Sequence, residues 1–226
     1  MKLSEVVPWG RTLLEYREMF SLSDHDLGKK ILGCGDGPAC FNAELTGIGG
    51  TVVSADPVYQ FDAEQIRSRV DAVYPEIMEQ LSKHRDDYVW NNFGTVEELG
   101  KARMKAMAAF LADYEAGREA GRYVDASLPV LPFQDNAFEL ALCSHYLFLY
   151  SEHVDQEQHI LSLRELCRVA REVRVYPLLA IGDNRPSRHL EPVLAALSAS
   201  GINASLQPVT YEFQKGATEM LVAKRD

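Results

Sequence analysis

Gly33, Gly35 and Gly37 alternate with short side chains in the run Lys29-Lys30-Ile31-Leu32-Gly33-Cys34-Gly35-Asp36-Gly37-Pro38. Glycine accepts positive φ and carries no Cβ, so such a turn lets a ligand approach the main chain closely. Further on, Thr51-Val52-Val53-Ser54-Ala55-Asp56 is a β-prone run that ends in a carboxylate, and Pro57 stops it. A carboxylate about twenty residues past a glycine turn, at the tip of the next strand, can accept both hydroxyls of a ribose. The chemistry these residues suggest is recognition of a nucleoside by bare backbone and one acid. Two plainer readings stay open: a tight strand-to-helix turn without a ligand, and a turn aspartate before proline. His145 is the other residue with reactive potential. Its intrinsic pKa suits proton removal near neutrality, so it is a candidate general base. A histidine packed at a strand end, or touching a cofactor, is the competing reading.

Positioning such residues takes a sheet. Lys29 to Leu32 reads as a short buried strand, and Pro38 suits the first turn of a helix continuing over Ala39 to Leu45. Arg122 to Ser127 reads as a third strand running into a polar turn, and Phe138 to Cys143 as a fourth, near-continuous apolar strand of the kind found in parallel sheets covered on both faces. Helical spacing returns over 153–170, a fifth strand over 172–178, a helix over 187–199, and a final pair of strands over 202–209 and 219–224. Upstream, residues 11–20 place Leu13, Tyr16 and Phe20 on one side of a helix, with Ser23 and Asp26 as a polar break after it. The long stretch 58–121 reads as a helical insertion. Asp62 with Gln65, and Thr95 with Glu98, have the spacing of capping boxes. Pro75 ends or kinks the first helix near Tyr74. Tyr88, Trp90 and Phe93 either cover a substrate or form satellite core.

The chain has 226 residues, a formal charge of −10 and 46% hydrophobic residues. That length fits one large domain. The negative balance opposes binding to a phosphate backbone, so no nucleic-acid partner is expected. No apolar run reaches membrane-span length, and the N-terminus lacks the apolar core of a signal peptide. A cytoplasmic protein without a membrane partner is therefore expected. Cys34, Cys40, Cys143 and Cys167 form no C-x-x-C pair and stand at no metal-ligand spacing with histidine, so they read as reduced thiols, and no metal is expected.

The glycine spacing G-x-G-x-G departs from the dinucleotide pattern G-x-G-x-x-G, whose last glycine falls on Pro38 here. With the strand before it, the turn resembles the first motif of the class I S-adenosylmethionine-dependent methyltransferases. The likeness sharpens over Asp125 to His145, where Leu131-Pro132-Phe133-Gln134-Asp135-Asn136-Ala137-Phe138 leads into the apolar strand as in the small-molecule members of that family. The resemblance implies a Rossmann-like, doubly wound, seven-stranded α/β sheet, mostly parallel with an antiparallel last strand. It would be built by a single domain over 1–226, with an N-terminal helical cap over 1–28 and the helical insertion after the second strand.

It also implies S-adenosylmethionine as cofactor and methyl transfer to a small-molecule acceptor. Gly33, Cys34, Gly35, Asp36, Gly37, Asp56 and Pro57 would hold the methionine and ribose. Asp125, Ala126 and Ser127 would lie along the adenine, and Ser144 and His145 would flank the methionine part. Trp9, Arg11, Tyr16 and Tyr146 would line the acceptor side, and Tyr150 is a further candidate there. Two departures stand out. Glu139 replaces the family's usual aspartate, and Ile31 occupies the place of an acidic residue that helps hold the methionine amino group. Asp36 is the candidate replacement. If neither Asp36 nor backbone carbonyls do that work, the alternative is a non-catalytic adenosine-cofactor-binding or partner-binding module on the same fold. An NAD-dependent oxidoreductase is disfavoured by the glycine spacing and by the lack of a Tyr-x-x-x-Lys group.

Overall fold

A computed structural model describes residues 9–182 and 184–225. The first eight residues of the expected N-terminal cap lie outside the described residues. Seven strands form one sheet: β1 (Lys30–Cys34), β2 (Thr51–Ala55), β3 (Tyr123–Val124), β4 (Phe138–Ser144), β5 (Ala170–Tyr176), β6 (Ile202–Pro208) and β7 (Glu219–Arg225). Their spatial order is β3-β2-β1-β4-β5-β7-β6. β1 pairs parallel with both β2 and β4, while β7 runs antiparallel to β5 and β6. The expected Rossmann-like sheet with an antiparallel last strand is therefore present. The order reverses between β1 and β4, and the carboxyl ends of neighbouring strands at such a reversal leave a crevice for ligands.

The helices are α1 (Leu13–Met19), α2 (Asp24–Leu27), α3 (Phe41–Gly47), α4 (Ala63–Lys83), α5 (Val96–Glu119), α6 (Gln156–Val169) and α7 (Leu190–Ser198). Apolar layers cover both faces of the sheet, and a third cluster joins Tyr59, Ile66, Val70, Phe110 and Tyr114 at the insertion. One layer gathers Leu32, Ala141, Cys143 and Val173 of the strands with Leu163, Leu166, Val193 and Leu197 of α6 and α7. The other gathers Ile31, Val52, Leu140 and Leu142 with Tyr16, Phe20, Phe41, Val73 and Leu99. Alternate residues of β1 and β4 thus face opposite layers, as the two-residue period of a strand requires.

Several local expectations are corrected. Pro75 lies inside α4 and does not end it. Its ring sits on the exposed face, while Ile66, Val70, Val73, Ile77 and Leu81 form a buried stripe on the other. Water can solvate the carbonyl that the proline leaves without a donor, so packing outweighs the lost hydrogen bond. Ser23 and Asp26 do not merely break the chain. They form a capping box that starts α2. Pro38 precedes α3 by three residues and is not in its first turn. β3 is only two residues long, and Asp125 follows it, as the resemblance implies. The capping boxes at Asp62 and Thr95 form as expected. All four cysteines are free thiols and buried. No helix among the described residues is long and apolar enough to cross a membrane.

Candidate cofactor and acceptor cavity

The glycine turn leaves β1 at Cys34. Gly35 and Gly37 adopt φ of 71° and 54°, in the left-handed region that L side chains rarely enter. Gly33 is needed for a different reason. A Cβ there would lie 1.8 Å from Oδ2 of Asp36, whose carboxylate folds back beneath the turn. Gly33 and Ile31 share one face of β1 by strand alternation. An acidic group therefore does stand over the Ile31 face of the strand, supplied from within the turn by Asp36. The Tyr16 hydroxyl donates to Asp36 Oδ1 at 2.7 Å, and the Ser54 hydroxyl donates to Oδ2 at 2.7 Å. Burial pushes Asp36 up to about 6 despite these bonds, and the nearby Asp56 charge adds to the rise.

Asp56 stands at the tip of β2. Its Oδ2 accepts the Gly37 N–H at 2.8 Å and its Oδ1 accepts the Val58 N–H at 2.8 Å. The first bond ties the glycine turn to β2, and the second starts the short helical turn Pro57–Gln60. Burial raises the pKa of Asp56, opposed by those two N–H groups, with Asp125 adding to the rise.

The N-terminal segment closes the site from above. A Cβ on Gly10 would fall 2.2 Å from the Pro38 carbonyl oxygen, so the chain can pass here only as glycine. The Cys40 N–H donates to the Arg11 carbonyl at 3.0 Å, pinning this segment to the start of α3. Thr12 and Glu15 then form the capping box of α1. Tyr16, one turn in, stacks on Phe41 with ring centroids 4.1 Å apart.

Between these parts lies a cavity of about 380 Å³. Of the residues singled out in the sequence, Gly35, Asp36, Gly37, Asp56, Pro57, Ser144 and His145 line it, as do Trp9, Arg11, Tyr16 and Tyr150. Gly33 and Cys34 lie in β1 beneath the turn and do not reach its wall. Tyr146 is not on the wall either. Its Cβ is 3.0 Å from where a Cβ of Gly35 would stand, so it packs behind the turn. Asp125, Ala126 and Ser127 also stand outside the wall, with Asp125 and Ser127 exposed past the short β3. Asp125 is still close enough to act on Asp56.

Of the far wall, sequence reasoning picked out Tyr88 alone. Ile77 and Leu81 come from α4, Tyr88 from the segment after it, Tyr176, Pro177 and Ile181 from the end of β5, and Phe213 and Gln214 from the connection between β6 and β7. Tyr88 pairs with Gln214 in an antiparallel bridge and stacks on Phe213 at 4.8 Å. Trp90 and Phe93 pack edge-on against the same ring, at 5.5 Å and 5.8 Å. Of the aromatic trio, Tyr88 faces the cavity while Trp90 and Phe93 back it. The run of aromatics was the available signal, but its partner ring lies more than a hundred residues away in the chain.

His145 sits where β4 ends, in a left-handed conformation at φ 52°. Such a conformation costs a non-glycine residue on the order of 1 kcal/mol. Its N–H donates to the Tyr176 carbonyl at 2.8 Å, which holds the turn in place. The Ser144 hydroxyl lies 3.0 Å from Nδ1. Burial, and then the charges of Arg11 and Arg103, hold the imidazole pKa well below its ordinary value. The ring is therefore neutral at physiological pH.

The class defined by this strand order is the class I methyltransferase fold. Aligned with the mitomycin 7-O-methyltransferase MmcR, the chain gives a TM-score of 0.50 at 13% identity, covering 95% of this chain and 54% of that one. Magnesium protoporphyrin IX methyltransferase from Synechocystis, solved with bound S-adenosylmethionine, aligns at a TM-score of 0.46 and 14% identity over 90% of this chain and 73% of that one. Among curated proteins, the chain is 29% identical over its whole length to the uncharacterized protein MJ0045 of Methanocaldococcus jannaschii, covering 99% of that protein. No protein-family profile matches.

Proposed function

We propose that this protein transfers a methyl group from S-adenosylmethionine to a small-molecule acceptor held in the same cavity. The observation that carries the reading is the joint between Asp56 and the Gly35–Gly37 turn, with the cavity opening between them. The residues present fit the cofactor. Asp56 has lone pairs left for a ribose, and Asp36 offers a carboxylate where a methionine amino group needs one. Tyr16, Tyr150 and Tyr176 give the sulfur end aromatic surroundings. Val58, Gln60 and Phe61 flank the mouth beyond Asp56 and suit the adenine better than Asp125, Ala126 and Ser127 do.

Bound there, the cofactor would supply an electrophilic methyl group on a positively charged sulfur. The chain's own contribution is placement. Holding donor and acceptor in line can supply about 7 kcal/mol or more of the barrier. An apolar wall also favours the transition state, in which the sulfur charge fades. His145, being neutral, can accept a hydrogen bond from an acceptor O–H or N–H and so orient it. Its depressed pKa makes full proton removal uphill, which favours a positioning role over general-base catalysis. A binding module without catalysis is separated by turnover alone.

S-adenosylmethionine and S-adenosylhomocysteine are expected to raise the melting temperature of the protein, and NAD is not, because a ligand of the native state stabilises by mass action. Equal shifts with NAD, or none with the sulfur compounds, would overturn the reading. Asp36 adds a pH dependence. Its folded pKa of about 6 lies above the ordinary carboxylate value, so the folded state holds the extra proton. Stability contributed by this group is thus present at low pH and lost as pH rises from about 4 to about 6. Binding of an ammonium to Asp36 has the opposite slope, since it needs the ionised form. S-adenosylhomocysteine is expected to bind about tenfold more weakly at pH 5 than at pH 7, and Asp36→Asn should flatten that change. Titration calorimetry at both pH values checks it.

A further inference from the structure

Arg11 is a cation on the cavity wall without a counter-ion of its own. Its Nη1 donates to the Trp9 carbonyl at 3.0 Å, and its enclosed Nε has no hydrogen-bond partner among the described residues. The acid of this region, Glu15, is taken by Arg103, whose Nη1 lies 2.7 Å from it. Two guanidiniums and one carboxylate leave this corner with a net charge of +1, and Arg11 carries it to the wall. Buried charges in proteins are normally paired. A lone one facing a ligand cavity is most simply paired by the ligand.

We propose that Arg11 anchors a carboxylate of the methyl acceptor, and that the acceptor is an apolar carboxylic acid. The single uncompensated charge suits a monoanion, and a planar guanidinium suits a carboxylate in geometry. The same cavity wall carries the apolar and aromatic side chains of Trp9, Ile77, Leu81, Ile181 and Phe213 beside the polar His145 and Gln214. An anion here also offsets the cation carried on the cofactor's sulfur, which Arg11 alone would repel. The cofactor's own methionine carboxylate is the other source of the same group. Tyr16 links the two regions, since its hydroxyl bonds Asp36 and its ring neighbours Arg11, and the experiment below separates the two sources.

This inference rests on the cofactor reading above, and the test separates the two. Binding of S-adenosylhomocysteine, and of 5′-methylthioadenosine, which lacks the amino-acid end, is measured by calorimetry on the full chain and on Arg11→Gln. With saturating S-adenosylhomocysteine, melting temperatures are then taken with phenylacetate, indole-3-acetate and octanoate, and with the matching amides. The expected result is less than a threefold change in S-adenosylhomocysteine affinity in Arg11→Gln. At least one acid should raise the melting temperature of the native complex, its amide should not, and the shift should vanish in Arg11→Gln and partly return in Arg11→Lys. A loss of tenfold or more in S-adenosylhomocysteine affinity, with 5′-methylthioadenosine unaffected, would assign Arg11 to the cofactor's carboxylate and overturn the proposal. Amides that act as well as acids, or no shift with any of the three acids, would overturn it too. If the native chain binds no S-adenosylhomocysteine, the cofactor reading itself fails, and the acid series repeated without it still reports on Arg11.

Discussion

Asp56→Ala is expected to weaken S-adenosylhomocysteine binding by about 100-fold or more. Two contributions add. A carboxylate accepting two ribose hydroxyls makes charge-assisted hydrogen bonds worth roughly 1.5–3 kcal/mol each. Loss of about 3 kcal/mol corresponds to a little over two powers of ten in Kd. The second contribution is structural. Asp56 also receives the Gly37 and Val58 N–H groups, each at 2.8 Å, so it holds the glycine turn against β2. Alanine releases that turn, and the cavity loses one wall as well as one ligand. Asp56→Asn separates the two effects. Its amide oxygen can still accept the Val58 N–H, which keeps the turn Pro57–Gln60 capped, while the NH₂ group facing Gly37 offers a donor where an acceptor is needed. Asparagine should therefore lose most of the affinity with a smaller fall in the melting temperature of the free protein. If both variants bind within threefold of the native protein, Asp56 is a structural cap and the ribose assignment is wrong. Calorimetry, with a thermal melt of each unliganded variant, decides between these outcomes.

The sheet and the glycine-turn side of the cavity were legible because their signals are local. The glycine turn, Asp56 and the apolar run of β4 each lie within a few residues of the element that presents them, and strand periodicity fixes which side they face. The same locality explains the failures. Ser23 and Asp26 look like a polar break because a four-residue helix has too few residues to show a period, although their spacing is that of a cap. Pro75 looks like a stop because local chemistry disfavours it, whereas the stripe Ile66, Val70, Val73, Ile77 and Leu81 carries α4 through it. The meeting of Tyr88 with Phe213 was hidden for a stronger reason. Phe213 and Tyr88 meet only because the β6–β7 connection folds back over the segment after α4. No spacing rule links positions that far apart. Asp36 and Tyr16 were each visible as single residues, but their hydrogen bond depends on how the N-terminal segment crosses the turn. That crossing depends in turn on Gly10, whose role becomes plain only beside Pro38.

Glu15→Gln should be the most damaging single change to stability outside the apolar core. The carboxylate accepts from Arg103 Nη1 at 2.7 Å, from the Tyr211 hydroxyl at 3.1 Å, and from Thr12 N–H and hydroxyl at 3.1 Å and 3.2 Å. Burial pushes the pKa of Glu15 up, but Arg103 and Arg11 outweigh it and leave the group below its ordinary value. Glutamine preserves the shape and removes the charge. Arg103, 0% exposed, then shares its surroundings with Arg11 and no anion. Breaking a buried pair by removing one partner costs about 3–5 kcal/mol. For a chain of this size that is a fall of roughly 10 °C in melting temperature. The sign with pH follows from the depressed pKa. The stability Glu15 contributes is present above its unfolded value and is lost as pH falls through about 4 and below, so the variant should lose that acid-side decline.

A second substitution tests whether charge is the cause. Arg11→Met alone removes a partly buried cation that has no ion-pair partner of its own, so it should leave stability unchanged or raise it. In the Glu15→Gln background it should recover more than it gives alone, because it relieves repulsion between two cations as well as desolvation of one. A coupling of about 1 kcal/mol or more in that cycle supports a shared electrostatic field, whereas simple additivity would mean that Glu15 acts through packing and its Thr12 cap. The same cycle bears on function. An Arg11 whose removal raises stability costs the free protein, which is the expected signature of a residue that serves its ligand.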